Sequence, residues 1–386
     1  MNKILAIVGY LILKPISLFA ALIKCRMSLK KAEEILKEVY DLEGKNYNLT
    51  GGQTSHLQPN QIELSFIIPV YNSESFIERC VISICSQNTN VLYEVICVND
   101  GSTDNSLQLL NDLQKKYQDK LIIVSQENRG ISATRNRGLE MARGEYVGFI
   151  DNDDFVSDNY IETLWNCRRH TNSDIIQMGH KYVDVNGIYI GEDTNDNVYN
   201  VKNKHEIMRY LKGYLWSGII RKSLFIDVRL PLGFWYEDMI TCMLLFRLCK
   251  SYSFIKDCLY NKTEHLTNAS KILWGRKSYR CIDQYYLMFH LAEYGCTHFS
   301  LPKDDILFTL LQNELYFLWN RTNGIARKYR KAIFILSAYQ LDEYRPNDYH
   351  YKSVFQKMVD KDFLQRNYWK WEIDGYLEKC LSKFTH

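Results

Sequence analysis

The 386-residue chain has no CxxC pair and no Cys/His cluster at metal-ligand spacing; its 11 cysteines are scattered, Cys80 and Cys85 being the closest two. That argues against a zinc ribbon or finger. An odd, unpatterned set points to a reducing compartment, where most thiols serve as small core side chains. No sign of charge dominates. The formal net charge of +3 gives no signal for a nucleic-acid partner. Repeats and low-complexity tracts are absent, and hydrophobic residues make up 46%, so a packed core is expected and disorder is not. A clean membrane-length apolar run is also missing. Residues 4–23 come nearest, but Lys14-Pro15 interrupt them at the middle. The length suggests two domains, or one large domain with appendages.

Three readings of the N-terminal segment compete. From Met1 to Lys31 there are six basic side chains and no acidic one. A cleaved signal peptide needs a shorter apolar core and a small-residue cleavage site, which Ser17-Leu18-Phe19-Ala20-Ala21 resembles weakly. A spanning helix would carry Lys14 to mid-bilayer at a cost of about 3 kcal/mol. An interfacial helix needs neither. Lys3, Tyr10, Lys14, Ser17, Ala21 and Lys24 recur near multiples of 3.6, which puts a narrow basic stripe on an apolar rod. The expectation is that residues 1–27 attach to the cytoplasmic face of the membrane without crossing it. Residues 28–61 read as a short amphipathic helix from Ser28 to Asp41 followed by a linker.

At Glu63 the pattern changes. Leu64–Tyr71, Glu94–Asp100, Leu121–Val124 and Tyr146–Ile150 read as strands. Helices are expected from Ser73 to Ser86, from Gly101 to about Tyr117, and from Gly130 to Arg143. This rhythm predicts a parallel, doubly wound sheet. Right-handed crossovers bring the strand exits Tyr71-Asn72, Asp100-Gly101-Ser102 and Asp151-Asn152-Asp153-Asp154 to one edge. Asp151 and Asp153 alternate on an extended chain and so can point the same way. Two such carboxylates suit Mg²⁺ or Mn²⁺ shared with a substrate's phosphates; a solvated acidic turn is the plainer alternative.

Four blocks at these exits carry a family likeness. They are Phe66-Ile67-Ile68-Pro69-Val70-Tyr71-Asn72, Val98-Asn99-Asp100-Gly101-Ser102-Thr103-Asp104, Asn128-Arg129-Gly130-Ile131-Ser132-Ala133-Thr134-Arg135-Asn136-Arg137-Gly138, and Asp151-Asn152-Asp153-Asp154. In order and spacing they resemble family 2 glycosyltransferases of the GT-A fold, strongly over residues 63–156 and less so over 157–275. The resemblance implies that Pro69, Tyr71 and Asn72 line a nucleotide pocket. It implies that Asp100 accepts a uracil N–H, which suits a carboxylate. Arg129 and Arg135 would serve the donor's anionic groups beside a helix start. Asp151 would touch ribose or metal, and Asp153 the metal. Trp216-Ser217-Gly218 resembles an aromatic-led strand beside the acceptor pocket. Phe234-Trp235-Tyr236-Glu237-Asp238 would open a helix from Met239 to Leu248, with Asp238 the catalytic base, Glu237 its neighbour and Trp235 an acceptor-pocket candidate. The family's aromatic-then-Arg/His segment near the diphosphate reads Tyr260-Asn261-Lys262-Thr263-Glu264-His265 here, leaving His265 or Lys262 for that role.

The expected organisation is α/β. A GT-A domain spans 62–275, with a Rossmann-like nucleotide-sugar half (62–156) and an acceptor half (157–275). A helical, aromatic-rich region follows over 276–386. There a basic run, Arg327-Lys328-Tyr329-Arg330-Lys331, precedes an apolar one and reads as a solvated face or a membrane contact. The implied activity is an inverting, metal-dependent transfer from a UDP-sugar to a saccharide or lipid-linked saccharide, in surface polysaccharide or glycolipid synthesis at the inner face of the membrane. Two rivals remain: a sugar-nucleotide nucleotidyltransferase, which wants a Gly-rich basic loop after the first strand, and a catalytically inactive scaffold of the same fold.

Overall fold

The computed structural model describes residues 2–23, 27–41, 45–46, 49–50, 62–266, 268, 278–351 and 354–381. They divide into two compact units, Gly44–Asn268 and Met1–Glu43 with Ala269–His386.

The second of these is helical. Helix α1 (Asn2–Ala20) continues through Pro15. Helix α2 (Leu29–Lys37) starts where the Ser28 hydroxyl accepts the Lys31 N–H at 3.3 Å, an ordinary N-cap. It buries Ala32, Ile35 and Leu36. Five further long helices, Ile282–His298, Asp305–Arg321, Arg327–Asp342, Val354–Leu364 and Tyr368–Leu381, complete the unit. Helices α1 and α2 belong to the same compact unit as these. Lys328 Nζ meets Glu38 at 2.5 Å, the Tyr40 hydroxyl donates to Asp283, and the Tyr40 and Tyr286 rings stack at 4.8 Å. The basic run at 327–331 is partly consumed within the unit. Arg330 is buried against Glu372 at 2.8 Å, and the Arg327 guanidinium lies 5.0 Å from the Trp369 ring. Among the described residues no helix is long and apolar enough to cross a membrane.

In the other unit, strands β1 (Leu64–Val70), β2 (Tyr93–Asp100), β3 (Leu121–Gln126) and β4 (Tyr146–Phe149) lie in the order β3-β2-β1-β4, every pairing parallel. All residues of β1, β2 and β4 are buried, as expected of strands covered on both faces. Helices α3 (Ile77–Cys85), α4 (Ser106–Lys116) and α5 (Ile131–Met141) make the crossovers. Close packing of α5 on the sheet depends on Gly138, where a Cβ would lie 2.3 Å from Ile67 Cγ2.

Beyond β4 the parallel pattern ends. Strands β5 (Phe155–Val156), β6 (Ile175–Val183), β7 (Tyr189–Asp193), β8 (Val198–Val201), β9 (Gly218–Arg221) and β10 (Tyr252–Thr263) extend the sheet, and α6 (Tyr160–Thr171) precedes β6. Strand β9 runs antiparallel to both β4 and β6, while β6 and β10 are parallel. Strands β1 to β4 are therefore parallel and the rest of the sheet is mixed. The helix expected from Met239 to Leu248 is a 3₁₀ turn (Glu237–Met239), a π turn (Thr241–Leu245) and one α turn (Phe246–Leu248). Most of the expected linker, 42–61, lies outside the described residues. Its described part is docked: Asn46 and Leu232 exchange backbone hydrogen bonds at 3.1 Å, and buried Leu49 accepts the Arg229 N–H at 2.9 Å.

Candidate active site

The exits of β1, β2 and β4 are tied to each other by short polar side chains. Asn72, held at φ +46°, accepts the Thr103 N–H at 2.8 Å through Oδ1, and its own N–H donates to Ser102 Oγ at 3.1 Å. Asn152 Nδ2 donates to the Pro69 carbonyl at 2.8 Å. Pro69 is buried and Tyr71 is 49% exposed at the same exit.

Asp100 is buried at the end of β2 and accepts three N–H groups: Arg129 N at 2.9 Å, Gly130 N at 2.8 Å and Gln126 Nε2 at 2.8 Å. A carboxylate has about four acceptor sites, so most are filled by the chain itself. Gly130 caps α5 at φ +83°, a conformation costly for residues with a Cβ. The anion at this helix start is thus Asp100's own carboxylate. Arg129 is exposed beside it.

Arg135 lies one turn into α5, only 3% exposed. Its Nη2 meets Asp151 Oδ1 at 2.7 Å and its Nη1 meets Glu237 Oε1 at 2.5 Å. One guanidinium thereby joins the β4 exit to the turn that carries Asp238. The charges of Asp151, Glu237 and Asp238 hold the Arg135 proton more firmly than usual against the opposing effect of burial. That turn opens at Tyr236, which has φ +67°, uncommon for a bulky residue and typical of functional loops. Trp235, Glu237 and Asp238 are half-buried.

The acidic cluster separates by direction. Asp154 is buried, accepting the Tyr260 hydroxyl and the Thr263 N–H, both at 2.7 Å. Burial pushes its carboxyl well above the usual range. Asp153 turns the other way. Its Oδ2 pairs with His265 Nε2 at 2.8 Å and accepts Asn268 Nδ2 at 3.3 Å, while the His265 ring stacks on Phe76 at 4.9 Å. Asp151 and Asp153 thus have partners on different elements. Among the described residues no three His, Cys, Asp or Glu side chains converge as a closed metal cage. A carboxylate and an imidazole nitrogen converging at 2.8 Å are nonetheless suitable donors for a divalent ion that takes its other ligands from substrate.

Residues 65–227 match the profile of glycosyl transferase family 2. Glycosyltransferase GlyG of Streptococcus pneumoniae is 30% identical over 51% of this chain and 69% of its own length. The chain belongs to glycosyltransferase family 2. Glycosyltransferase GlyA of the same organism is 26% identical over 84% of this chain, which spans only 51% of GlyA. Residues 1–349 of S. aureus TarS, solved with UDP-GlcNAc, share the GT-A-like fold, with a TM-score of 0.64 and 23% identity over 84% of this chain and 92% of TarS 1–349.

Beside β6, β9 and β10, Trp216 stacks between Tyr214 at 3.6 Å and Tyr260 at 5.0 Å, with His180 edge-on at 4.8 Å. The Tyr260 hydroxyl also accepts the Asp151 N–H at 3.2 Å, which links this stack to the β4 exit. His180 is buried with its Nδ1 3.1 Å from the Tyr214 hydroxyl, and burial lowers its pKa to about 4. Lys262 pairs with Glu264 at 2.7 Å. Sequence reasoning missed Tyr260, Asn268 and the structural role of Asp154. Tyr260 was open to discovery as the aromatic opening the segment assigned to the diphosphate; Asn268 carries no local signal.

Proposed function

We propose that the enzyme is an inverting glycosyltransferase that moves a sugar from a uridine diphosphate donor to a hydroxyl of a saccharide or lipid-linked saccharide, in surface polysaccharide or glycolipid synthesis at the inner face of the membrane. The observation that carries this reading is the Arg135 bridge. It ties the turn that carries Asp238 to the carboxylate Asp151, which supports reading Asp238 as a base beside the donor.

In this reading Asp238 takes the proton of the acceptor hydroxyl as that oxygen attacks the anomeric carbon from the face opposite the leaving diphosphate. The proton is taken as the bond forms, so a carboxylate is a sufficient base. The sugar passes through an oxocarbenium-like state. Asp153, with His265 beside it, would hold Mn²⁺ or Mg²⁺ together with Asp151. The ion, when bound, supplies neutralisation of charge on the leaving group. Tyr71, Asn72 and Pro69 line the base side, and Asp100's remaining acceptor site takes the uracil N–H. The exposed Arg129 serves the diphosphate. Arg135 acts through Asp151 and Glu237. Half-buried Trp235 is the ring that would meet an acceptor sugar; Trp216, expected in that role, has its two faces covered by Tyr214 and Tyr260 and would present only an edge.

Incubation with a panel of nucleotide sugars tests the proposal. Nucleoside diphosphate released from a uridine donor supports it. Pyrophosphate exchange would show a nucleotidyltransferase, and silence with every donor would favour a scaffold. Competition among the four nucleoside diphosphates reads the base separately: if the guanosine compound binds best, the Asp100 assignment falls and the transfer reading stands.

A further inference from the structure

Helix α1 is held along one side by its own unit. Ser17 and Ala20 are buried. Ser17 Oγ donates to Asp374 Oδ1 at 2.5 Å. Asn367 Nδ2 donates to the carbonyls of Ala20 and Ala21 at 3.4 and 3.1 Å. The last carbonyls of a helix have no partner within the helix, so these bonds fix its end on the helix Tyr368–Leu381 and the turn before it. Asp374 is fully buried and is also paired with Lys370.

The other side of α1 is apolar and open. At about 3.6 residues per turn, Leu18, Leu11, Leu22, Phe19 and Ile12 follow one another across a single arc away from Ser17 and Ala20. Leu18 and Phe19 are each 68% exposed, and Leu22 is 76%. A cluster of large exposed side chains of this kind marks an interaction surface. Lys14 is exposed at the border of the arc, Lys30 and Lys31 are exposed at the start of α2, and no acidic residue occurs among the first 31. Lys31 pairs with Glu34 at 3.3 Å, and Lys14 and Lys30 also border the face. An apolar face bordered by cations suits an anionic bilayer surface.

We propose that this face of α1 lies in the headgroup layer of an anionic membrane, with the helix parallel to the surface and still seated on the helical unit. The inference deepens the placement of the enzyme at the membrane and does not depend on the transfer chemistry. It also says why the segment does not cross. Spanning would pull α1 off its seat and strand Ser17, Asp374 and Asn367 without their partners, a loss that buried polar groups resist. Lys14 needs no mid-bilayer position, because at the edge of the arc its long stem reaches the headgroups.

Flotation of the full-length protein with vesicles of phosphatidylcholine alone, or mixed with phosphatidylglycerol, tests this. Binding is expected to be stronger to the mixed vesicles and partly reversed by high salt. The double variant Leu18→Asp/Phe19→Asp should lose about ten-fold or more in partitioning, and the milder Phe19→Ala a smaller part of it. Lys14→Glu should weaken binding to mixed vesicles but not to neutral ones. Donor turnover in solution should be unchanged in these variants, which separates a failure of the anchor from a failure of the chemistry. The proposal is overturned if wild-type protein ignores both vesicles, if the double variant partitions like wild type, or if only detergent, never salt, releases the protein. It is equally overturned if the double variant abolishes self-association of a chain that does not bind vesicles, because a second copy then covers the face.

Discussion

Replacing Arg135 tests whether one buried cation organises the candidate active site. The guanidinium is 3% exposed and sits 2.5 Å from Glu237 and 2.7 Å from Asp151. Arg135→Met keeps much of the packing volume and removes the charge both carboxylates face. Breaking a buried pair by removing one partner costs about 3–5 kcal/mol. Asp151 is 30% exposed and Glu237 13%, so water recovers part of that loss, and the lower end, about 3 kcal/mol, is expected. For a unit of this size it corresponds to a fall of roughly 6–12 °C in melting temperature. Arg135→Lys keeps the charge, but a single ammonium has no fork to span two carboxylates. It should cost about 1–2 kcal/mol. Both variants shift the turn bearing Asp238, so kcat should drop about 10²-fold, with UDP affinity less affected. Thermal melting followed by differential scanning fluorimetry, together with steady-state kinetics, reads both quantities. A methionine variant that melts and turns over like wild type would refute the bridge as an organising element. A lysine variant as damaged as the methionine one would show that fork geometry matters more than charge.

Three other outcomes follow from the same geometry. Asp238→Asn should leave UDP binding nearly intact while lowering transfer about 10²-fold or more; normal turnover would return Asp238 to the role of a charge at a helix start. Asp153→Ala should remove the Mn²⁺ dependence of nucleoside diphosphate binding measured by calorimetry, and unchanged affinity with and without metal would sink the assignment. His180, whose pKa falls from 6.5 to about 4 on burial, should make stability pH-dependent. Between those values the unfolded chain binds more protons, so its contribution is intact above pH 6.5 and is lost as pH falls toward 4, by up to about 3 kcal/mol. His180→Phe should flatten that part of the urea-midpoint profile, and an unchanged slope would contradict a buried neutral imidazole.

By itself the sequence determined the parallel part of the sheet, β1 to β4. Alternating strands and helices with right-handed crossovers leave little choice about where strand exits go, so the pattern alone puts Asn72, Asp100 and Asp151 on one edge. It also put a helix start at Gly130, while the positive φ there, which favours glycine, is seen only in the fold. Partners were a different matter. Asp153 and Asp154 are adjacent and chemically identical, and nothing local says that one meets His265 while the other is buried under Tyr260. Their opposite fates follow from the path of β10, set by its pairing with β6 and β5. Arg135 read as an anion-binding residue from its helix position, yet it meets Glu237, 102 residues later in the chain. In α1 the periodicity announced an apolar rod, but the choice of covered face was made by Asp374 and Asn367 at the far end of the sequence. Periodicity and turn chemistry act over a few residues and can be read locally. Which buried charge finds which counter-charge depends on packing across distant segments, and only the tertiary structure decides it.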